Sequence, residues 1–248
     1  MPTLFEAIDD NTRHGASALI QTLRQAKRQV AENRHAEVTI TERLAVLLLA
    51  AQYESRLNWL LNHPDSRLST PDIAYVRKAG GISKKWNALL RASLALRKNL
   101  RDNTSYRPDD IPAVLDLAER GRYWRMHRIA TDHLDMLIDV RNSLAHGEWV
   151  TALTPNADAI NLARTASLRS LSLYRVVILT NLLDHLWRAH FDAQVTRTAF
   201  ERDFDKHATG MINAARRLER GDEQRWLANM RRSYEHGRAT DRTLTVPN

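Results

Sequence analysis

Between Leu44 and Ala51 the chain reads Leu-Ala-Val-Leu-Leu-Leu-Ala-Ala, so a helix formed there has no polar face. A helix that is apolar all round must be covered all round, which places it at the centre of a bundle. Thr39-x-x-Glu42 reads as a capping box that opens it, and apolar spacing carries it from about Ile40 to Asn62. Composition points the same way: 43% of the residues are hydrophobic, with only 8 Gly and 7 Pro in 248. Such a chain is neither disordered nor a loop-rich β fold, and its Leu and Ala content favours helices. The expected class is all-α.

Other elements follow from periodicity and punctuation. Asn11 to Arg34 predicts an amphipathic first helix with Ala18, Leu19, Leu23, Ala26 and Val30 on its apolar side. Thr70-Pro71-Asp72 starts a short helix that Gly80-Gly81 ends, and Ser83 is placed to cap the next one. Asn103 to Asp110 reads as a loop. A helical segment from about Pro112 breaks at Gly121, and a long helix from about Tyr123 to His146 stops at Gly147. Trp149 to Thr154 and Ile160 to Leu162, around Pro155-Asn156, predict a short β-hairpin. Arg164 to Phe191 predicts one more helix, with Leu168, Leu171, Val176, Leu179, Leu182, Leu183 and Leu186 as its stripe. The composition turns charged from Gln194. The expected organisation is a bundle over residues 10–192 and a charged helical extension with a polar tail over 193–248.

The absence of cysteine excludes a disulfide scaffold, zinc fingers, iron–sulfur ligation and a cysteine nucleophile. The longest apolar run is too short to span a bilayer, and the first residues lack a basic-then-apolar leader, so a cytoplasmic protein is expected. The net charge is +8, and 31 of the 37 cations are Arg. Arginine suits bidentate contact with phosphate, which makes nucleic acid a natural partner; genomic bias toward Arg codons is the other source of such an excess. From Ile73 to Arg101 there are eight cations and no acid. Arg77, Lys84, Arg91 and Lys98 recur every seven residues, and beyond the break at Gly80-Gly81 the last three share one helix face, with Lys85 beside them. That face reads either as a phosphate-tracking ridge for RNA or as an ordinary solvated surface.

One constellation carries chemistry: Asp139-Val140-Arg141-Asn142-Ser143-Leu144-Ala145-His146-Gly147. An Arg followed within a few residues by His is not informative here, because Arg122–His127, Arg128–His133 and Arg231–His236 share the spacing. Arg141 is the only Arg followed directly by Asn, and that stricter form is expected by chance roughly 0.07 times in this chain. The residue types suit cleavage of RNA. The 2′-hydroxyl is a built-in nucleophile, His moves protons near neutral pH, and Arg steadies charge on the phosphate. Asn142 and His146, four apart, share a helix face. Asn142 can bond the phosphate or hold the imidazole, while Arg141 turns toward the side of Leu134, Leu137, Ile138 and Leu144.

Arg141-Asn142-x-x-x-His146, late in a long helix of an all-helical bundle, resembles the signature of the HEPN superfamily (higher eukaryotes and prokaryotes nucleotide-binding fold). The resemblance is close over about ten residues and architectural elsewhere. It implies a metal-independent endoribonuclease with no cofactor, with Arg141, Asn142 and His146 as catalytic residues. One His per chain is thin for acid and base work, and the resemblance implies a homodimer that joins two motifs at its interface. It further implies a toxin or antiviral-defence role, neutralised in the former case by an antitoxin. Some members have lost catalysis, so an inactive module that binds RNA, nucleotide or a partner protein is the alternative.

A partly buried Arg needs a carboxylate. Glu54 stands on the stripe of Leu47, Ala50, Leu57 and Leu61 and is the candidate to bind and aim Arg141; it can also reach the surface or pair with Arg56 or Asn58. Trp149 reads either as a base-stacking residue or as a packing anchor. His185 and His190, with Asp184 and Asp192, look metal-like, but their spacing does not converge on one helix, and no metal is assigned.

Overall fold

In a computed structural model the chain is all-helical; the structure describes residues 2–98, 100, 108–154, 156–195 and 197–244. The loop read at Asn103 to Asp110 lies largely outside the described residues.

Helix α1 (Leu4–Ala31) begins earlier than its apolar stripe suggests, because Thr3 and Glu6 form a reciprocal capping box ahead of it. Asn33, at φ 58, turns the chain into α2 (His35–Asn62), which lies against α1. The helix starts before Thr39, so Thr39-x-x-Glu42 is not its cap. Thr39 bonds back to the His35 carbonyl, and Glu42 accepts the Leu173 N–H of a distant helix at 2.6 Å. Helix α2 packs on α1, α7 and α9, so it is central, although Leu44 remains exposed.

Ser69, rather than Thr70, caps α3 (Thr70–Lys78) in a box with Asp72. Gly81, at φ 78, opens α4 (Ile82–Arg97); Ser83 is buried inside that helix and does not cap it. A short 3-10 turn and α5 (Ile111–Val114) lead to α6 (Leu117–Ile129), capped by Asp116 and Glu119. Helix α6 runs through Gly121 without a break. A π turn, Ala130–Leu134, joins it to α7 (Asp135–Ala145). The extra residue resets the helix phase, so that Tyr123, Met126 and Ile129 before it and Leu134, Leu137, Val140 and Leu144 after it all reach the core.

The predicted hairpin is reduced to a single bridge, Leu153 to Ile160, and there is no strand among the described residues. Val150 and Ile160 are exposed, so no apolar face rewards a longer ladder, and Asn161 already caps α8 (Leu162–Ser170). The helix predicted from Arg164 to Phe191 is two helices. Ser172 accepts the Arg175 N–H, Glu42 takes that of Leu173, and α9 (Leu173–Val195) starts afresh. Helix α10 (Arg197–Arg220) packs along α9 through Phe200, Phe204, Ala208, Met211 and Ala214, and α11 (Glu223–Leu244) reaches α1. One apolar core runs from Leu19 to Ala214. Among the described residues no helix is long and apolar enough to cross a membrane.

Candidate functional site

The end of α7 is fixed by backbone chemistry. His146 is the C-cap and Gly147 follows at φ 82. The Gly147 N–H donates to Leu144 and the Glu148 N–H to Ser143, which together make a Schellman motif. Val140, Ser143 and Leu144 face the core, whereas Arg141 and Asn142 sit at its margin and His146 is exposed.

Arg141 makes two contacts. Its Nη1 donates to the Asn142 side-chain oxygen at 3.0 Å, and its Nη2 lies 3.7 Å from Glu54 Oε2 across the α2–α7 packing. Arg56, which competes for Glu54 in sequence, is held by Asp184 at 3.1 Å instead. The Arg141 and Glu54 side chains keep 35% and 41% of their surface exposed, so the guanidinium is accessible rather than sealed on the apolar side.

These residues share an open cleft of about 400 Å³ with Asn58, Arg77 and Lys85, walled by Leu57, Leu61, Ile82 and Ile138. Three cations, Arg77, Lys85 and Arg141, face one carboxylate, Glu54, so the cleft favours an anion. Asn142 lines it and braces Arg141. His146, one turn further on, is not among the lining residues. Sequence reading names Arg77 only in the basic repeat and Asn58 only as an alternative partner of Glu54, and places neither in this site.

The basic face of α4 is divided. Arg91 is spent on Asp109 at 2.5 Å and also bonds the Tyr123 hydroxyl, and Lys98 is paired with Glu119 at 2.6 Å. Those acids lie beyond the acid-free window of the sequence and fold back onto it. Arg77, Lys78, Lys84 and Lys85 have no ion-pair partner among the described residues, so the free positive charge gathers at the α3–α4 turn. Trp149 is half-buried against the core. His190 is buried, while His185 meets His207 from α10 at 3.3 Å, and His207 lies 3.3 Å from Asp192.

No family model, curated protein or solved structure matches the chain. The chemistry open to the cleft therefore rests on its own geometry. It can hold a phosphate between Arg141, Arg77 and Lys85, with a carboxylate and two amides around it, while the His146 imidazole stands outside the lining, one helical turn from Asn142.

Proposed function

We propose that this chain is a metal-independent endoribonuclease of the HEPN type. The observation that carries the reading is the accessible Arg141, braced by Asn142 and Glu54 in a cleft with surplus positive charge, one helical turn from the exposed His146. In the reaction the RNA 2′-hydroxyl attacks the adjacent phosphorus, and the bond to the 5′-oxygen breaks. The 2′ proton goes to a base, and an acid returns a proton to the leaving oxygen. The products are a 2′,3′-cyclic phosphate and a 5′-hydroxyl. Arg141 stabilises the charge that builds on the non-bridging oxygens, and Arg77 and Lys85 hold the neighbouring backbone. Asn142 and Glu54 fix the guanidinium. His146 carries one proton, and a second copy of the chain supplies the other imidazole across a homodimer interface. Toxin or antiviral activity in the cytoplasm, held in check by an antitoxin in the former case, is the role that fits such a nuclease.

The position of His146 outside the lining of the cleft favours one other reading, an inactive module that binds RNA or a partner protein. Cleavage of a labelled RNA pool in excess EDTA separates the two. Wild type is expected to cut, and His146→Ala and Arg141→Ala to fail, each by at least about a hundredfold. Salt-sensitive binding without cleavage by wild type would support the module, and equal cleavage by wild type and variants would remove the assignment.

A further inference from the structure

The α3–α4 turn separates two clefts. Arg77, Gly81 and Lys85 line the one that holds Arg141; their chain neighbours Lys78, Gly80 and Lys84 line a larger one of about 640 Å³. Consecutive Cα atoms are about 3.8 Å apart, so the two clefts adjoin across a single turn of backbone. The larger cleft lies between α3, α4 and the π turn. Its volume is within the range that takes a small organic group such as one nucleotide.

Asn87, on α4, is only 8% exposed and stands in the wall of this cleft. Its Nδ2 donates to Thr131 Oγ1 at 3.3 Å. Thr131 spends its one hydroxyl hydrogen on the His127 carbonyl at 3.0 Å, so it can only accept from Asn87. That fixes the amide's orientation and leaves Asn87 Oδ1 as a buried acceptor with no partner. The atom is closed to solvent, but its residue lines the cleft, so a small shift of the amide would bring this unsatisfied acceptor to a donor from whatever fills it. Tyr75 and His127 add aromatic surface, and the exposed Lys84 stands at the turn between the clefts.

We infer that this cleft receives the base of the RNA nucleotide next to the one held at Arg141, and that Asn87 selects bases with an exocyclic amino group. The inference rests on the ribonuclease reading for its substrate. Unpaired cations along the turn track the backbone, and the base leaves the strand to enter the cleft between aromatic side chains, a mode open to single-stranded RNA. Adenine, cytosine and guanine offer Asn87 an exocyclic amino N–H, uracil offers only its ring N3–H, and unsubstituted purine offers no N–H at all. Asp135, also in the lining, provides a second acceptor.

The test is binding, measured on the full chain carrying His146→Ala so that cleavage plays no part. Fluorescence anisotropy compares short labelled oligo-A, oligo-U and oligo-purine-riboside, the last differing from oligo-A only by the missing amino group. Oligo-A is expected to bind about fivefold tighter than oligo-purine-riboside, the factor of one hydrogen bond, with oligo-U reporting how far the uracil N3–H substitutes for the amino group. Asn87→Leu should erase the difference, while Lys84→Ala should weaken all three alike and reduce the salt dependence. Equal affinity for oligo-A and oligo-purine-riboside overturns the inference even if Asn87→Leu does not fold. No RNA binding at all, or discrimination that survives Asn87→Leu in a folded protein, overturns it as well. Failure of wild type to cut RNA refutes the nuclease reading but leaves these binding outcomes readable.

Discussion

At the scale of single residues, exposure decides what Arg141 and Glu54 do. A pair this open to water, 3.7 Å apart, is screened and is worth at most about 1 kcal/mol to stability. Glu54→Gln is therefore expected to leave the melting temperature nearly unchanged while slowing RNA cleavage about tenfold, because the guanidinium loses its aim rather than the fold its support. Calorimetry alongside single-turnover cleavage checks both halves. A large drop in melting temperature would mean that the pair is structural. The Arg-Asn-x-x-x-His spacing was legible because it is local, and Glu54 because a carboxylate on an apolar stripe needs a cation. The place of Arg77 was not, since only tertiary packing brings α3 to the cleft beside α2 and α7. The charge of Arg91 and Lys98 was misjudged for a related reason: Asp109 and Glu119 lie outside the window in which the cations were counted.

At the scale of elements, helix ends set the site. Gly147 adopts a left-handed conformation that lets the chain turn directly after His146. Gly147→Ala should cost about 1 kcal/mol and also reduce cleavage, because a residue with a side chain resists that conformation and the C-cap imidazole shifts with it. A chemical-denaturation midpoint and a cleavage rate, measured on the same preparation, test this. That stop was readable from sequence, and so was the all-helical class. Helix starts were read less well. Thr3-x-x-Glu6 is a capping box hidden ahead of polar residues, while Thr39-x-x-Glu42 has the letters of one but lies inside α2. Glu42 instead serves α9 from a distance, a role no local pattern encodes. Glu42→Ala is accordingly expected to loosen the start of α9, at about 1 kcal/mol, and to speed amide exchange there rather than in α2.

At the scale of the molecule, the stripe of Phe200, Phe204, Ala208, Met211 and Ala214 joins α10 to the same core as α2 and α9. The high charge of that stretch obscured the stripe in sequence. Phe204 is fully buried, so Phe204→Ala should destabilise the whole chain by about 3–5 kcal/mol in a single unfolding transition. His190 adds a pH dependence. Burial pushes its imidazole down to about 4, only partly opposed by the Leu186 and Trp86 carbonyls. The unfolded chain takes up this proton below about 6.5, whereas the folded chain resists it until about 4. Stability present above 6.5 is thus lost as the pH falls toward 4, by roughly 3 kcal/mol for this one group. Melting curves across that range should show the loss, and His190→Gln should flatten it.

The central claim is that RNA is cut by its own 2′-hydroxyl at Arg141 and His146. The most direct measurement is the chemistry of the ends that wild type leaves on a defined RNA in EDTA, read by mass spectrometry beside the same RNA carrying 2′-O-methyl groups. The account predicts 2′,3′-cyclic phosphate and 5′-hydroxyl ends, and no cleavage of the methylated strand. Ends bearing 3′-hydroxyl and 5′-phosphate, or cleavage of the methylated RNA, would contradict it.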